Sequence, residues 1–379
     1  MSQIATALAS ADKADPELAA AVVRAALERA DVGIARSVLL FLTADFAHMA
    51  HAAVVAASRA GHCLQVTGCT APGVFTEEDW VLDRPAACAM VFGGECGLAA
   101  HAPADAPLLS LAAPNAVSSA WLKGGGRRYG LLSTDNSAHG AGRLWCHGKM
   151  ADDGRCETAI VGAHAAIGVS RGMHILGEPR PATSDGREVL KTGAHPALSS
   201  LLRDLPLEMR EMEKLPFHLL AAGIISGDPE HAIEEGRYSL VPLLSANHDD
   251  RSVTLAMPPE PGALIFWAMR QALAAENDMR RLVDELAAQH GTVPDFGLLF
   301  SCLGRGPYFF DGEDRDLAVL KARFPGMPLI GAYGGGQIAP LLDGNRQVHN
   351  AAVLALCRAD TLNSKAGTRA AKTKAGTLV

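Results

Sequence analysis

The sequence predicts an α/β protein of two related domains, each with a mixed β-sheet that contains a parallel β-α-β unit and has its helices on the outer faces. Two segments lead to this prediction, residues 36–75 and 296–340, because each reads as a buried strand, a helix and a second strand that runs into glycines. The right-handed crossover of such a unit makes its two strands parallel. Two sheets of this kind can pack face to face, so a four-layer αββα arrangement is one open outcome.

The first unit follows a helix that is predicted at residues 16–30. Residues 36–43 form a short continuous apolar run, which favours a strand that is covered on both faces. Residues 45–61 place apolar side chains every three or four positions, which predicts a helix. Residues 63–75 then read as a strand that enters a glycine turn.

The second unit repeats this order near the other end of the chain. Residues 296–303 predict a strand, residues 311–326 a helix, and residues 327–340 a strand that enters a second glycine turn. Both units begin with Leu-Leu-Phe and end with two glycines five positions apart, which we interpret as an old internal duplication. The glycine pairs are Gly68 with Gly73 and Gly331 with Gly336.

The rest of the chain gives weaker signals. Short apolar stretches predict further strands at 86–92, 157–163, 166–173, 217–226 and 237–244. Residues 101–116 read as a long loop and residues 123–130 as an exposed glycine-rich loop. Apolar side chains at steps of three and four predict one long helix over 263–290. The basic, small-residue tail at 363–379 is predicted to be disordered.

Composition excludes several classes of protein. The chain has 379 residues, 49% of them hydrophobic and 20% charged, and a net charge of −7, so no basic field recruits nucleic acid or an anionic membrane. No apolar run is long enough to cross a bilayer, and the N-terminal residues lack the apolar core of a signal peptide, so we expect a cytoplasmic protein. The eight cysteines contain no Cys-x-x-Cys pair, which predicts reduced thiols without structural zinc or disulfides.

Several stretches resemble, in the same order, the FIST proteins, which are built from an N-terminal and a C-terminal FIST domain. The stretches are "SVLLFLTADF", "VTGCTAPGVF", "GRLWCHGKMADD", "SRGMHILGEPRPATSDGREVLKTGAHPAL", "LLFSCLGRG", "PLIGAYGGGQIAP" and "VHNAAVLAL". The resemblance implies a lead-in at 1–35, an N-terminal FIST-like domain at 36–230 and a C-terminal FIST-like domain at 231–362, followed by the tail at 363–379. It also implies an intracellular sensor of a small ligand that acts on a separate signalling protein.

The chain departs from the family pattern at two places. Family members usually carry Glu in the second glycine turn, where this chain has Gln337, which keeps the hydrogen-bonding reach but loses the charge. The pair Cys146 and His147 replaces small residues, which is expected to reshape a pocket.

The two strand ends of the second unit predict the ligand site. In an open parallel sheet, ligands bind beyond the carboxyl ends of the strands, where glycines let backbone N–H groups approach. The predicted ligand-binding residues are Cys302, Arg305 and Gly306 on one side, Tyr333, Gly335, Gly336 and Gln337 on the other, and Gly68, Cys69 and Gly73 as the equivalent feature of the first unit. Because Arg305 can hold a carboxylate with two hydrogen bonds, we expect a small carboxylate such as an amino acid.

Other readings of the same residues stay open. Arg305 can instead be a structural arginine that pairs with Asp311 or Glu313 in its own loop. A thiol-dependent enzyme would use Cys302 or Cys69, but the sequence shows no base near Cys302, so we assign no catalytic residue.

Two further alternatives concern cofactors and partners. Some FIST relatives bind haem and sense nitric oxide, and that role would need an axial ligand such as His147 or His349. No spacing selects either histidine, so we assign no cofactor and no metal. A protein-interaction scaffold without a small ligand is the remaining alternative.

Overall fold

A computed structural model describes residues 3–101, 103, 105–134, 139–212, 214–225, 227–341 and 344–360. It is a mixed α/β structure with 24% helix and 42% strand and with parallel strand pairs, which confirms the predicted fold class. The tail predicted to be disordered, 363–379, lies outside the described residues.

The elements are numbered in chain order. The α-helices are α1 (Pro16–Ala30), α2 (Ala50–Ala60), α3 (Ser119–Lys123), α4 (Ala197–Asp204), α5 (Leu207–Arg210), α6 (Ala272–His290) and α7 (Arg315–Arg323). The strands of the first part are β1 (Ile4–Ser10), β2 (Ser37–Thr43), β3 (Val66–Ala71), β4 (Gly73–Thr76), β5 (Trp80–Leu82), β6 (Ala86–Phe92), β7 (Gly97–Ala99), β8 (Leu108–Ala112), β9 (Arg128–Leu132), β10 (Leu144–Cys146), β11 (Lys149–Met150), β12 (Arg155–Val161) and β13 (Ala163–Ser170). The remaining strands are β14 (Met173–Asp185), β15 (Glu188–Thr192), β16 (His195–Pro196), β17 (Leu220–Ile225), β18 (Tyr238–Asn247), β19 (Ser252–Leu255), β20 (Leu264–Arg270), β21 (Phe296–Cys302), β22 (Leu329–Gly334), β23 (Gly336–Leu341), β24 (Gly344–Val348) and β25 (Ala352–Ala359).

The described residues divide into two compact units. The larger unit takes its residues from Met1–Ser170, Arg280–Pro340 and Gly344–Val379, and the smaller unit from Arg171–Met279 and Leu341–Asp343. The domain boundaries that the family resemblance implied, 36–230 and 231–362, remain a prediction.

The larger unit contains three six-stranded sheets. Sheet A has the order β1-β6-β2-β3-β10-β11, sheet B the order β13-β25-β21-β22-β4-β5, and sheet C the order β24-β23-β9-β8-β12-β7. Each sheet has the same centre, a parallel pair flanked by one antiparallel strand on either side. The parallel pairs are β2 with β3, β21 with β22, and β8 with β9. Two of them are the predicted units, and the third was not predicted.

The three sheets exchange strands. After its parallel pair, the chain leaves sheet A to add β4 to sheet B, leaves sheet B to add β23 to sheet C, and leaves sheet C to add β10 to sheet A. The predicted glycine turns are therefore wrong, because the chain remains extended there and passes from one sheet to another. The internal duplication remains a prediction, although the topology shows three units of this kind.

One glycine occupies the same register in each parallel pair. A Cβ added to any of them would lie well under 3.0 Å from the carbonyl oxygen of the paired residue, so alanine does not fit there without a shift of the backbone. The pairs are Gly68 with Leu40, Gly130 with Ser110, and Gly331 with Leu299. Close approach of two strands thus requires these glycines.

Sheets A and B pack face to face. The rings of Phe41 and Phe300 lie 6.0 Å apart edge to face, and those of Phe92 and Phe296 lie 5.6 Å apart. Helices α1 and α2 cover the other face of sheet A, and their buried side chains share one core with β2 and β3. Leu282 of α6 lies against Gly168 of β13 on the outer face of sheet B, so the larger unit has the four-layer αββα arrangement.

Two predicted loops contain strands of sheet C. Strand β8 lies within 101–116, and β9 begins within 123–130. Proline, alanine and glycine around these short strands hid the apolar alternation that would have identified them. Both predictions of loops were therefore wrong over these strands.

The smaller unit holds a seven-stranded sheet of the order β14-β20-β17-β18-β19-β15-β16, whose pairs are antiparallel. The long helix predicted at 263–290 is wrong over its first part, because Leu264–Arg270 forms β20 and only Ala272–His290 is helical. Trp267 and Ile265 are buried, and β20 is paired on both sides. A central strand of this kind has a continuous run of apolar residues, which also fits the apolar spacing of a helix. Within the described ranges, no helix has both the length and the apolarity needed to cross a bilayer.

Candidate functional site

Arg305 lies in a buried polar cluster, where its guanidinium is hydrogen-bonded to neighbouring side chains and backbone. The Arg305 cluster consists of Ser170, Arg305, Asp314, Asp316 and Tyr333, all buried in the larger unit. The guanidinium of Arg305, which is 1% exposed, donates from Nε to Asp316 Oδ2 at 2.7 Å and from Nη2 to Asp316 Oδ1 at 2.9 Å. It also donates to the backbone oxygen of Ser170 at 3.0 Å and to the Ser170 hydroxyl at 2.7 Å.

The local sequence explains this arrangement. Strand β21 ends in a short 3₁₀ turn over Leu303–Arg305, and α7 begins after Asp314, whose side chain accepts from Leu317 N at 2.9 Å. Asp316 stands in the first turn of α7, where a carboxylate is also favoured by the helix dipole. The geometry thus favours the structural alternative for Arg305, with Asp316 as its carboxylate partner.

Asp314 is the titratable member of this cluster. Burial, and then the charge of Asp316, raise the pKa of Asp314 to about 6, against the hydrogen bond from Tyr333. Burial likewise raises the pKa of Tyr333 far above its ordinary range. The Tyr333 hydroxyl therefore stays protonated and donates to Asp314.

Two of the predicted glycines pack around the Tyr333 ring. A Cβ on Gly306 would lie 3.1 Å from that ring. Gly73 of β4 is the register partner of Tyr333. The ring of Phe75 lies 4.8 Å from the ring of Tyr333. Arg305, Gly306, Tyr333 and Gly73 therefore meet in one buried region, whereas Gln337 does not belong to it.

Gln337 lies on a different buried surface, the face of sheet C that points away from α3. The Gln337 face consists of Tyr129, Leu131, Ser133 and Gln337. Gln337 pairs with Leu131 across β23 and β9, and Tyr129 and Ser133 stand two residues to either side of Leu131, so all four share one side of the sheet. Tyr129, Ser133 and Gln337 are each 0% exposed.

The polar atoms of this face have no partners. The Tyr129 hydroxyl, the Ser133 hydroxyl and both the oxygen and the nitrogen of the Gln337 amide make no hydrogen bond to any described residue. Buried polar groups are normally bonded, because an unmet donor or acceptor costs about 1–3 kcal/mol. Such a cluster is the expected signature of a site that a polar ligand or ordered water fills.

Glycines open the edge of the Gln337 face. Gly335 N donates to Leu132 O at 3.1 Å, and a Cβ on Gly335 would lie 3.0 Å from the hydroxyl of Thr134, itself buried without a partner among the described residues. A Cβ on Gly142 would lie 2.6 Å from the Ser133 hydroxyl. The predicted residues Gly335 and Gln337 therefore lie beside hydroxyls that the sequence analysis did not select.

The predicted thiols are buried. Cys69 is 0% exposed in β3 next to Gly68, and burial raises its pKa far above the ordinary value, which makes it a poor nucleophile. Cys302 is 6% exposed at the end of β21, where Gly334 is its register partner. The ligand-binding role of these residues remains a prediction.

The histidines considered for haem are already bonded. His349 donates from Nδ1 to Gly335 O at 3.0 Å and accepts at Nε2 from the Gln347 amide nitrogen at 2.9 Å. Its ring lies 3.0 Å from the position of a Cβ on Gly336. His147 bonds through Nδ1 to Gln65, and its Nε2 is buried. Across the described part of the chain, no cluster of three or more His, Cys, Asp or Glu side chains could hold a metal ion.

Sequence reasoning missed Tyr129 and Ser133 because their strand was read as part of a loop. The stretch "RYGLLS" does alternate, with Tyr129, Leu131 and Ser133 on one side and Gly130 and Leu132 on the other. That period-two pattern was the available signal.

Comparisons with known proteins extend these observations. Residues 197–340 match the FIST C domain, a sensory and signalling domain family, and the N-terminal FIST domain was not detected. An uncharacterized protein of Mycobacterium tuberculosis strain H37Rv is 30% identical over 205 residues, which cover 54% of this chain and 53% of that protein. An uncharacterized protein of Mycobacterium bovis is 29% identical over 178 residues, 47% of this chain and 46% of that protein. The chain spans about half the length of the curated relatives it matches. The segment that matches the FIST C domain, 197–340, includes the position of Gln337.

Proposed function

We propose that this protein is a sensor that binds a small ligand with a carboxyl or amide group, such as an amino acid, at the Gln337 face, and that acts on a separate signalling protein. The match of residues 197–340 to a sensory and signalling domain family supports the sensor role. The unpartnered amide of Gln337, inside that matched segment, supports the position of the ligand.

Gln337 carries most of the argument. Its side chain is fully buried, and both of its polar atoms lack a partner among the described residues. An apolar side chain of similar volume would avoid the cost of burying an amide, so the amide is unfavourable for folding alone. A ligand that bonds to the amide offsets this cost only when it is bound.

The donor set also indicates the ligand's chemistry. A primary amide such as Gln337 offers one acceptor and two donors, so it can form paired hydrogen bonds with a carboxyl or amide group. The hydroxyls of Tyr129 and Ser133 on the same face can donate to further oxygens. Since the Arg305 fork already binds Asp316, recognition at the Gln337 face relies on the uncharged amide and hydroxyl groups of these side chains.

The test is a thermal-shift screen of amino acids, small carboxylic acids and their amides on the wild type and on Gln337→Leu. A ligand that binds the native state raises the wild-type Tm in proportion to ln(1 + [L]/Kd). Gln337→Leu should raise the ligand-free Tm, because it removes an unpartnered buried amide, and should abolish the shift caused by the ligand.

Gln289→Leu, which makes the same change at an exposed position of α6, is the matched control and should keep the full ligand shift. Two results would contradict the proposal. One is a ligand that shifts the wild type and Gln337→Leu equally, which would place its site elsewhere. The other is the absence of any ligand shift across the screen, which would assign the polar atoms to buried water.

A further inference from the structure

Cys146 and Cys156 bring two thiols together at a place where sheet A meets sheet C. Cys146 ends β10 in sheet A and is half-buried, whereas Cys156 lies in β12 of sheet C and is 2% exposed. Cys146 Sγ lies 3.7 Å from the backbone oxygen of Glu157, the residue that directly follows Cys156, and the two thiols are close enough to shift each other's pKa. The two sulfur atoms are therefore already within reach of each other.

A tight hairpin fixes the position of Cys146. His147 and Gly148 form a two-residue turn between β10 and β11, with φ of 49° and 78° respectively, as a type I′ hairpin requires. The backbone N–H of His147 donates to the Thr67 hydroxyl at 3.1 Å, and that of Gly148 donates to Val66 O at 2.8 Å. These bonds anchor the turn, and with it Cys146, on β3.

The surroundings of Cys146 favour its thiolate. The hydrogen bond from Cys156, and then the neighbouring His147, lower the pKa of Cys146 to about 5 against the effect of burial. The same hydrogen bond, together with burial and the nearby Cys69, raises the pKa of Cys156 far above its ordinary value. One proton is thus held on Cys156, and Cys146 is the nucleophile of the pair.

We propose that Cys146 and Cys156 form a redox-active thiol pair, which a hydroperoxide converts into a disulfide that joins sheet A to sheet C. This inference rests on the contact of the two thiols and on their unequal exposure. It is independent of the ligand site, because none of its residues belongs to the Gln337 face.

The reaction has two steps. The Cys146 thiolate attacks one oxygen of the hydroperoxide, an S–O bond forms, the O–O bond breaks, and the leaving alkoxide or hydroxide takes a proton from solvent; sulfur loses two electrons and the peroxide gains them. The Cys156 sulfur then attacks the Cys146 sulfenic acid, an S–S bond forms, and the hydroxide leaves as water with the proton of Cys156. A dithiol reductant returns both thiols.

The test treats the full-length protein with one equivalent of hydrogen peroxide and then digests it with trypsin without reduction. We expect a disulfide that links the peptide 144–149 to the peptide 156–171, the loss of two titratable thiols from the eight of the chain, and full recovery with dithiothreitol. A link between Cys156 and Cys69 instead, or oxidation without any link, would overturn the proposal.

Two variants separate the roles of the residues. Cys156→Ser should trap Cys146 as a sulfenic acid that reacts with dimedone, and Cys63→Ser, which removes another half-buried thiol, should leave the disulfide unchanged. If Cys63→Ser abolishes the link, or if Cys156→Ser yields no dimedone adduct on Cys146, the assignment is wrong.

His147→Asn tests the nucleophile without removing a thiol, because asparagine tolerates the left-handed backbone of the turn. At pH 6 this variant should slow the alkylation of Cys146 by iodoacetamide, because the loss of the neighbouring imidazole raises the thiol pKa above about 5 and lowers the thiolate fraction. An unchanged alkylation rate in a folded variant would contradict the role of His147.

Discussion

The Arg305 cluster and the Gln337 face are both polar, both buried and both part of the larger unit, but they differ in whether their polar groups are hydrogen-bonded. In the Arg305 cluster, the guanidinium, the carboxylates of Asp314 and Asp316 and the Tyr333 hydroxyl all bond to one another or to Ser170. On the Gln337 face, the amide and two hydroxyls bond to no described residue.

This difference distinguishes a cluster that stabilises the fold from a face whose polar groups are available to a ligand. A buried ion pair whose bonds are complete holds its elements in place, and breaking it leaves a charge without compensation. A buried amide without partners contributes nothing to folding, so its presence is better explained by a ligand. Charge at a strand end, which drew attention to Arg305 in the sequence, is therefore a poorer guide to the ligand site than an unmet hydrogen bond.

The largest expected effect tests the Arg305 cluster. Arg305→Ala and Asp316→Ala should each destabilise the fold by about 3–5 kcal/mol, because each leaves one buried charge unpaired. Urea unfolding followed by circular dichroism measures this loss. A carboxylate clamp, as first considered for Arg305, would instead spare the fold and weaken ligand binding.

The double variant Arg305→Met with Asp316→Leu is the control for this prediction. It removes both charges together, so most of the lost stability should return. If the double variant is as unstable as the sum of the single variants, the ion pair is not the reason for their instability.

The second effect is a pH dependence. Burial raises the pKa of Asp314 in the folded protein from the ordinary 3.8 to about 6, so the folded state binds a proton more tightly than the unfolded state. Its contribution to stability is therefore complete below about pH 4 and is lost as the pH rises through 6, by at most about 3 kcal/mol.

Asp314→Asn should remove this contribution, while all other carboxyl groups titrate as before. The difference in unfolding free energy between the wild type and Asp314→Asn should thus shift in favour of the wild type as the pH falls from 7 to 4. A difference that stays constant over this range would show that Asp314 does not titrate there.

The smallest effect makes one chemical change in both regions. Tyr333→Phe removes a hydroxyl that donates to Asp314 and should cost about 1.5–3 kcal/mol, the usual range for a hydrogen bond to a charged group. Tyr129→Phe removes a hydroxyl without a partner and should leave the stability unchanged or slightly higher. The Tm values of the two variants measure this difference. Equal losses of stability would show that the two hydroxyls contribute equally to the fold, contrary to the prediction.

Local patterns predicted the fold where each element carried its own signal. The helix at 16–30 and the strand at 86–92 have the predicted bounds, because a capped amphipathic helix and a continuous apolar run are readable in isolation. Residues 264–270 were misread because their apolar side chains suit a helix as well as a central strand, and only the pairing with β14 and β17 decides between them.

The candidate site was less predictable because it depends on which sheet each strand joins. Arg305 was predicted to bind the ligand, with pairing to Asp311 or Glu313 of its own loop as the structural alternative. Helix α7 begins after those residues and brings Asp316 to Arg305 instead. Gln337 was placed near Tyr333 because they are close in sequence. The chain changes sheets between them, so they face different surroundings.

The exchange of strands among the three sheets has a consequence for how the chain is made. The ribosome synthesises β4 and β9 long before their partners β22 and β23. The pairing of Val74 with Ala332, and of Gly130 with Ile338, can therefore form only after most of the chain has been made. Until then, two apolar strands present open edges that can pair with another chain. Such distant contacts also slow folding. Synthesis of this protein therefore includes a long interval of exposure to aggregation, during which chaperones would act.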